Sequence, residues 1–171
     1  MNSMKRIMVV GCIGSGKSTF SRKLHIKTGI KLYHLDDYFF EAGIPKDKEE
    51  WKEIVEKLSK KDEWIIDGNY PATLSIRANY ADTMVLLDLP RIRCMFNVFM
   101  RGLKTIFNKE RIATQSPLIN HFKLSTYKRI YKFNGNRKQR YFSPIINNEA
   151  ITAHCFTSWK DANKFLNFIE R

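Results

Sequence analysis

Ile7-Met8-Val9-Val10-Gly11-Cys12-Ile13-Gly14-Ser15-Gly16-Lys17-Ser18 joins two patterns that are ambiguous apart and specific together. The four apolar residues form a short run closed by glycine, as in a strand buried on both faces of a parallel sheet. Gly11 to Ser18 fits G-x-x-x-x-G-K-S, and the next stretch, Lys17 to Thr28, holds no Gly or Pro. Phe20 and Leu24 recur there at helical spacing and Gly29 suits a helix C-terminus, so the glycine loop lies between a strand and a helix start. Gly11, Gly14 and Gly16 permit the positive φ that turns successive N–H groups toward one point, and the helix adds its positive dipole end. That concavity takes an anion. Lys17 is the expected point charge on the outer phosphates of ATP, and Ser18 the expected hydroxyl on the accompanying Mg²⁺. A turn that merely capped a helix would explain neither residue.

Working outward, the spacing predicts strands at Ile30 to Leu35, Trp64 to Asp67, Thr83 to Leu87 and Ala150 to Phe156. Between them fall helices with apolar stripes at Trp51, Ile54, Val55 and Leu58, and at Ala162, Phe165, Leu166 and Ile169. The last opens on Ser158-Trp159-Lys160-Asp161, which has capping-box spacing. A further helix from Arg91 to about Phe107 is expected to turn Ile92, Met95, Phe96, Phe99, Leu103 and Ile106 inward. A second basic helical stretch follows Pro117 as far as Asn134-Gly135. Strands alternating with helices argue for an α/β fold, a three-layer, doubly wound parallel five-stranded sheet whose ligands sit at the carboxyl ends of the strands.

At 171 residues, 43% of them apolar, the chain is expected to form one domain over 1–171. Cys12, Cys94 and Cys155 are far apart and form no metal-ligand or CxxC pattern, which fits reduced thiols in a cytoplasmic protein. No run is long enough for a signal or a membrane span, so no membrane partner is expected. The net charge of +13 is localised: residues 91–140 hold 13 Lys and Arg against Glu110 alone, and the rest of the chain is close to neutral. This basic helical block reads as a lid region within the domain. From His121 to Phe142 its cations interleave with aromatics, a composition that suits nucleic-acid contact as well as an amphipathic helix.

Magnesium also needs a carboxylate from a neighbouring strand. Asp67 and Asp88 both end apolar strands; Asp67 is favoured because Gly68-Asn69-Tyr70-Pro71 after it makes a turn that opens a cleft. Asp36 follows strand two, where it could take the proton of an attacking hydroxyl, and Asn69 and Arg77 are candidate acceptor contacts. His34 reads as a packed histidine, and Cys12 as a small side chain under the loop. Arg101 and Arg111 flank the loop between the two basic helices, where cations would meet charge developing on a transferred phosphoryl.

Gly11 to Ser18, Tyr33-His34-Leu35-Asp36-Asp37-Tyr38-Phe39, Trp64 to Tyr70, Arg77, and Ala81 to Pro90 together resemble the DNA topology modulation proteins of bacteria, an adenylate-kinase-like branch of the P-loop kinases. The resemblance runs through most of the chain in the same order. It implies strand order 2-3-1-4-5, a nucleotide site on Gly14, Ser15, Gly16, Lys17, Ser18 and Thr19, and a mobile lid after strand four. It further implies that Asp67 orients magnesium-bound water and that Arg101 and Arg111 are lid arginines. The chain departs from the usual lid segment at Asn108-Lys109-Glu110-Arg111-Ile112-Ala113-Thr114. The function expected is ATP-dependent phosphoryl transfer to a small-molecule acceptor. The alternative is a nucleotide-regulated nucleic-acid-binding protein using residues 91–140. Asn108-Lys109 starts like a guanine-specificity motif but lacks its aspartate and does not follow a strand, so a GTPase is not favoured.

Overall fold

The computed structural model describes residues 4–41, 44–107, 122–133, 142, 145 and 149–169. Strand β1 (Arg6–Gly11) lies at the centre of a five-stranded sheet with β2 (Leu32–His34), β5 (Trp64–Asp67), β6 (Thr83–Leu87) and β7 (Thr152–Phe156) in the order β2-β5-β1-β6-β7. Every pairing in it is parallel, with Met8 opposite Ile66 on one side and Met84 on the other. Counting only the strands of this sheet, the order is 2-3-1-4-5, as the resemblance implied. The chain winds away from β1 in one direction and later crosses to β6 in the other, so the crevice opens at the carboxyl end of β1.

The two faces of the sheet explain the continuous apolar runs. Ile7, Val9, Ile65, Val85 and Leu87 point to one side and pack on α1 (Lys17–Thr28) and the last helix, α7 (Trp159–Phe168), through Phe20, Leu24, Ala162 and Leu166. Met8, Val10, Ile66, Met84 and Leu86 point to the other and meet Trp51, Val55 and Leu58 of α3 (Lys48–Ser59). This second layer also takes Leu74 of α4 (Leu74–Ala78), Cys94 and Val98 of α5 (Arg91–Phe107), and Ile130 of α6 (Leu124–Lys132). Among the described helices, none is long and apolar enough to cross a membrane.

Two expectations need correcting, and one small element was not foreseen. Strand two is shorter than expected: Leu35–Phe39 is a helix, α2, so Asp36 sits in a first helical turn. After it, Phe40–Glu41 (β3) pairs antiparallel with Ile44–Pro45 (β4), a small hairpin that no sequence pattern announced. The inward stripe of α5 is also different. Cys94 and Val98 are buried, Met95 is half-buried, and Ile92, Phe96, Phe99 and Ile106 are exposed. The reason is that α5 packs on the glycine loop. A Cβ at Gly14 would lie 2.3 Å from the Cys94 carbonyl oxygen, and that close backbone approach sets which side of the helix faces in.

Helix ends follow local chemistry. Asp47 caps α3 by accepting from the N–H groups of Glu49 (2.9 Å) and Glu50 (3.0 Å), and the Ser158 hydroxyl caps α7 by accepting from the Asp161 N–H. Replacing Asp47 with Ala is expected to lower unfolding stability by about 1 kcal/mol, with Asp47→Asn retaining most of it, measured by urea denaturation.

Candidate active site

At the carboxyl end of β1 the loop from Cys12 to Gly16 closes on itself, with the Ser15 N–H donating to the Cys12 carbonyl at 3.1 Å. Gly14 (φ 79°) and Gly16 (φ 89°) are left-handed. The N-cap of α1 is Gly16, which brings no side-chain cap, and the first turn carries no acidic residue. The positive end of this 12-residue helix therefore has no counter-group within the helix itself. Ser18 and Thr19 are exposed in that turn, whereas Ser15 is buried with no hydrogen-bond partner for its hydroxyl among the described residues. Lys17 folds back, its Nζ donating to the Cys12 carbonyl at 3.0 Å, so the ammonium lies along the loop.

Three side chains that sequence reasoning did not assign to the loop hold it in place. The Asn97 amide of α5 donates to the Gly14 carbonyl at 2.9 Å. Asn69, expected as an acceptor contact, instead brackets Gly11: its Oδ1 accepts from the Gly11 N–H at 3.0 Å and its Nδ2 donates to the Gly11 carbonyl at 2.7 Å. Trp159, at the start of α7, lies so close that a Cβ on Gly16 would approach its ring to 2.3 Å. Cys12 is buried as expected. A hydrogen bond to the Cys94 sulfur, then burial, raises its thiol pKa, the reverse of a reactive thiolate.

Asp67 stands next to the loop, opposite Val9 on β1 and opposite His34 on β2. Its Oδ2 lies 3.0 Å from His34 Nδ1, so His34 is a paired group and not the merely packed histidine expected. Its Oδ1 is buried and has no hydrogen-bond partner among the described residues. A desolvated carboxylate oxygen without a donor is costly unless a cation or its water completes it. Asp88, the other candidate, directly follows β6, and its N–H donates to the Phe156 carbonyl. The donor set around the loop thus fits Mg²⁺ with ATP: Ser18 on the helix turn and Asp67 on the adjacent strand end.

On the far side of the cleft Asp36 accepts a 2.6 Å hydrogen bond from the Tyr70 hydroxyl. Burial, then that bond to Asp36, raises the Tyr70 pKa. Tyr70 is the one described non-glycine residue with positive φ (29°). Such strain persists only where surroundings enforce it. Arg77 enforces it here. This arginine is 0% exposed, with Nη1 donating to the Gly68 carbonyl at 2.7 Å and Nη2 to the Asn69 carbonyl at 2.6 Å and the Tyr70 carbonyl at 3.4 Å. Its assignment as an acceptor contact is therefore corrected: a guanidinium without exposed surface and committed to four carbonyls, the fourth that of Thr73 through Nε at 3.4 Å, shapes the turn after β5. Burial lowers its pKa, with the charges of Asp67 and Tyr70 opposing.

Arg101 of α5 is exposed, yet partial desolvation lowers its pKa, and the opposing charge it feels is that of Asp36. The charge of Arg129 of α6, which sequence reasoning did not single out, works to lower the Tyr70 pKa. No periodic signal separates it from its basic neighbours. Arg111 and the departing lid segment at 108–114 lie outside the described residues.

Similarity to solved structures agrees with this architecture. A shikimate kinase from Bacteroides thetaiotaomicron matches with a TM-score of 0.61 at 16% identity, covering 96% of this chain and 96% of that one. A shikimate kinase from Acinetobacter baumannii, solved with shikimate, matches at 0.61 and 15% identity, over 96% and 90%. A gluconokinase from Sinorhizobium meliloti 1021 matches at 0.53 and 13% identity, over 96% and 92%. The chain has the P-loop kinase fold. No family model matches it, and no curated protein matches its sequence. The kinase side of the resemblance thus stands as fold, and nothing in these neighbours concerns DNA topology.

The His34–Asp67 pair predicts a pH dependence. The hydrogen bond to Asp67 is the largest influence on His34 and raises its pKa above 6.5, against the opposing effect of burial. A raised folded-state pKa stabilises fully below about pH 6.5, and that contribution fades as pH rises through the folded value. Melting temperature followed from pH 6 to 9 should fall more in the native protein than in His34→Gln; parallel curves would remove the pair from the stability balance.

Proposed function

We propose that the chain is a cytoplasmic ATP-dependent small-molecule kinase. The observation that carries this reading is the uncapped, acid-free N-terminus of α1 under a left-handed glycine loop, with the partnerless Oδ1 of Asp67 at the neighbouring strand end. The loop N–H groups and Lys17 would hold the β- and γ-phosphates, and Thr19 would stand in the first turn beside them. Mg²⁺, bound through Ser18 and Asp67, would neutralise charge on the phosphate oxygens.

Asp36 is the candidate base. With Oδ1 accepting from Tyr70, the second carboxylate oxygen would take the proton of an acceptor hydroxyl. The hydroxyl oxygen would then form a bond to the γ-phosphorus while the bond from that phosphorus to the β–γ bridging oxygen breaks, releasing ADP. Lys17, Arg101 and Arg111 are the cations available to stabilise the charge spreading over the transferred group. Supporting the acceptor class are the hydroxy-acid kinases among the structural neighbours and the two arginines, Arg101 and Arg129, that sense Asp36 and Tyr70. The reading is therefore a small alcohol, with an anionic hydroxy compound the first to try.

Saturating ATP with Mg²⁺, at a hundred times its dissociation constant, should stabilise the native protein by roughly 2.7 kcal/mol. Lys17→Ala should abolish that thermal shift, and an unchanged shift would count against the site. A screen of ADP release against pooled hydroxy acids, sugars, nucleosides and nucleoside monophosphates should reveal an acceptor. Asp36→Asn should keep the ATP-induced shift and lose acceptor-dependent turnover by a hundredfold or more, on the order of a missing general base; retained turnover would reassign the base.

A further inference from the structure

Ile92, Phe96, Phe99, Leu103 and Ile106 recur along α5 at alternating steps of four and three, which places them on one stripe of the helix. Ile92 is 82% exposed and Phe96 60%, and Phe99 and Ile106 are exposed too. The stripe is held outward from behind, because Cys94, Val98 and Asn97 on other sides of the same helix are fixed against the core and the Gly14 loop. Helix α6 extends it. Phe122, just before α6, meets Phe99 edge-on at 6.0 Å, Arg91 lies 4.9 Å from the Tyr131 ring centre, and Leu124 (68%) and Tyr131 (63%) are exposed. Residues 91–107 and 122–133 contain no Asp or Glu, and Arg93, Lys104, Lys123, Lys128 and Lys132 are exposed.

We propose that this α5–α6 face docks reversibly on an anionic lipid bilayer, the aliphatic and aromatic side chains entering the headgroup boundary and the cations meeting lipid phosphates. Charge selects the occupant. An apolar face surrounded by cations without a carboxylate is complementary to a negative surface. A second copy of this chain would bring like charge against like across a two-fold interface. A nucleic acid would use the cations and could stack on Phe122 and Tyr131, but it would leave Ile92, Ile106 and Leu124 in water. A bilayer satisfies both components. The contact is adsorption and not insertion, since no described helix can span. Because α5 also touches the phosphate loop, a docked face would hold the nucleotide cleft at a fixed attitude to the membrane.

The test is sedimentation of the full chain with vesicles of pure phosphatidylcholine, or of phosphatidylcholine with 30% phosphatidylglycerol, at low and at physiological salt. Apparent affinity should be at least tenfold higher for the anionic vesicles and should weaken with salt. The double variant Ile92→Glu, Phe96→Glu should lose at least tenfold while keeping the native melting curve and the ATP-induced shift; Lys128→Glu, Lys132→Glu provides a second variant outside α5. Equal binding to both vesicles, no binding, or binding unchanged in the double variants overturns the proposal. So does tight binding of a 20-nucleotide single strand with vesicles ignored, which assigns the face to nucleic acid, or a dimer abolished by the Ile92 and Phe96 changes, which assigns it to self-association.

Discussion

The structure depends on one electrostatic constraint: the positive end of α1 lies at the carboxyl end of the central strand and receives neither a side-chain cap nor an acidic residue from its own first turn. Gly16 caps the helix without a side chain, the first turn has no acid, and the nearest cation, Lys17, folds along the loop. A helix end in that state is built for an external anion. The surroundings keep it so. Asn69 from the turn after β5, Asn97 from α5 and Trp159 from α7 each approach a different glycine of the Gly11–Gly16 stretch, so three separate chain segments fix one short backbone turn.

The Asp36–Tyr70 side of the cleft is organised differently, by strain and not by an open dipole. Tyr70 adopts a backbone conformation that L-residues avoid, and its phenol is bonded to Asp36. The buried Arg77 holds the three carbonyls around it. A fully buried guanidinium is tolerated only where its donors are satisfied, and here satisfying them defines the turn that follows β5. Arg77 therefore acts one step removed from any ligand, through the shape of the residues that face the cleft.

Much of this was legible in the chain. The strand ends at Asp67 and Leu87, the helix of Lys17 to Thr28 and the apolar stripe of Trp51, Val55 and Leu58 all follow from periodicity, because a buried strand and a half-buried helix impose different repeats on apolar residues. The glycine loop was legible because its residues are needed for backbone reasons. Arg77, Asn69 and His34 were not, since a polar side chain gives no sequence signal that distinguishes a ligand contact from a bond to a distant carbonyl. The stripe of α5 was misread for a related reason: periodicity finds an apolar face but does not say what, if anything, lies against it.

Sequence by itself determined the central strand, the left-handed glycine loop after it and the alternation that makes a parallel sheet, since each is fixed by local backbone freedom and by spacing along the chain. Only the tertiary structure decided that Asn69 clamps Gly11 across 58 residues, that Tyr70 is bonded to Asp36, and that α5 turns Cys94 inward and Phe96 and Phe99 out. Those outcomes depend on which distant groups arrive within hydrogen-bonding or van der Waals range, and that is a property of the packed chain, not of any segment of it.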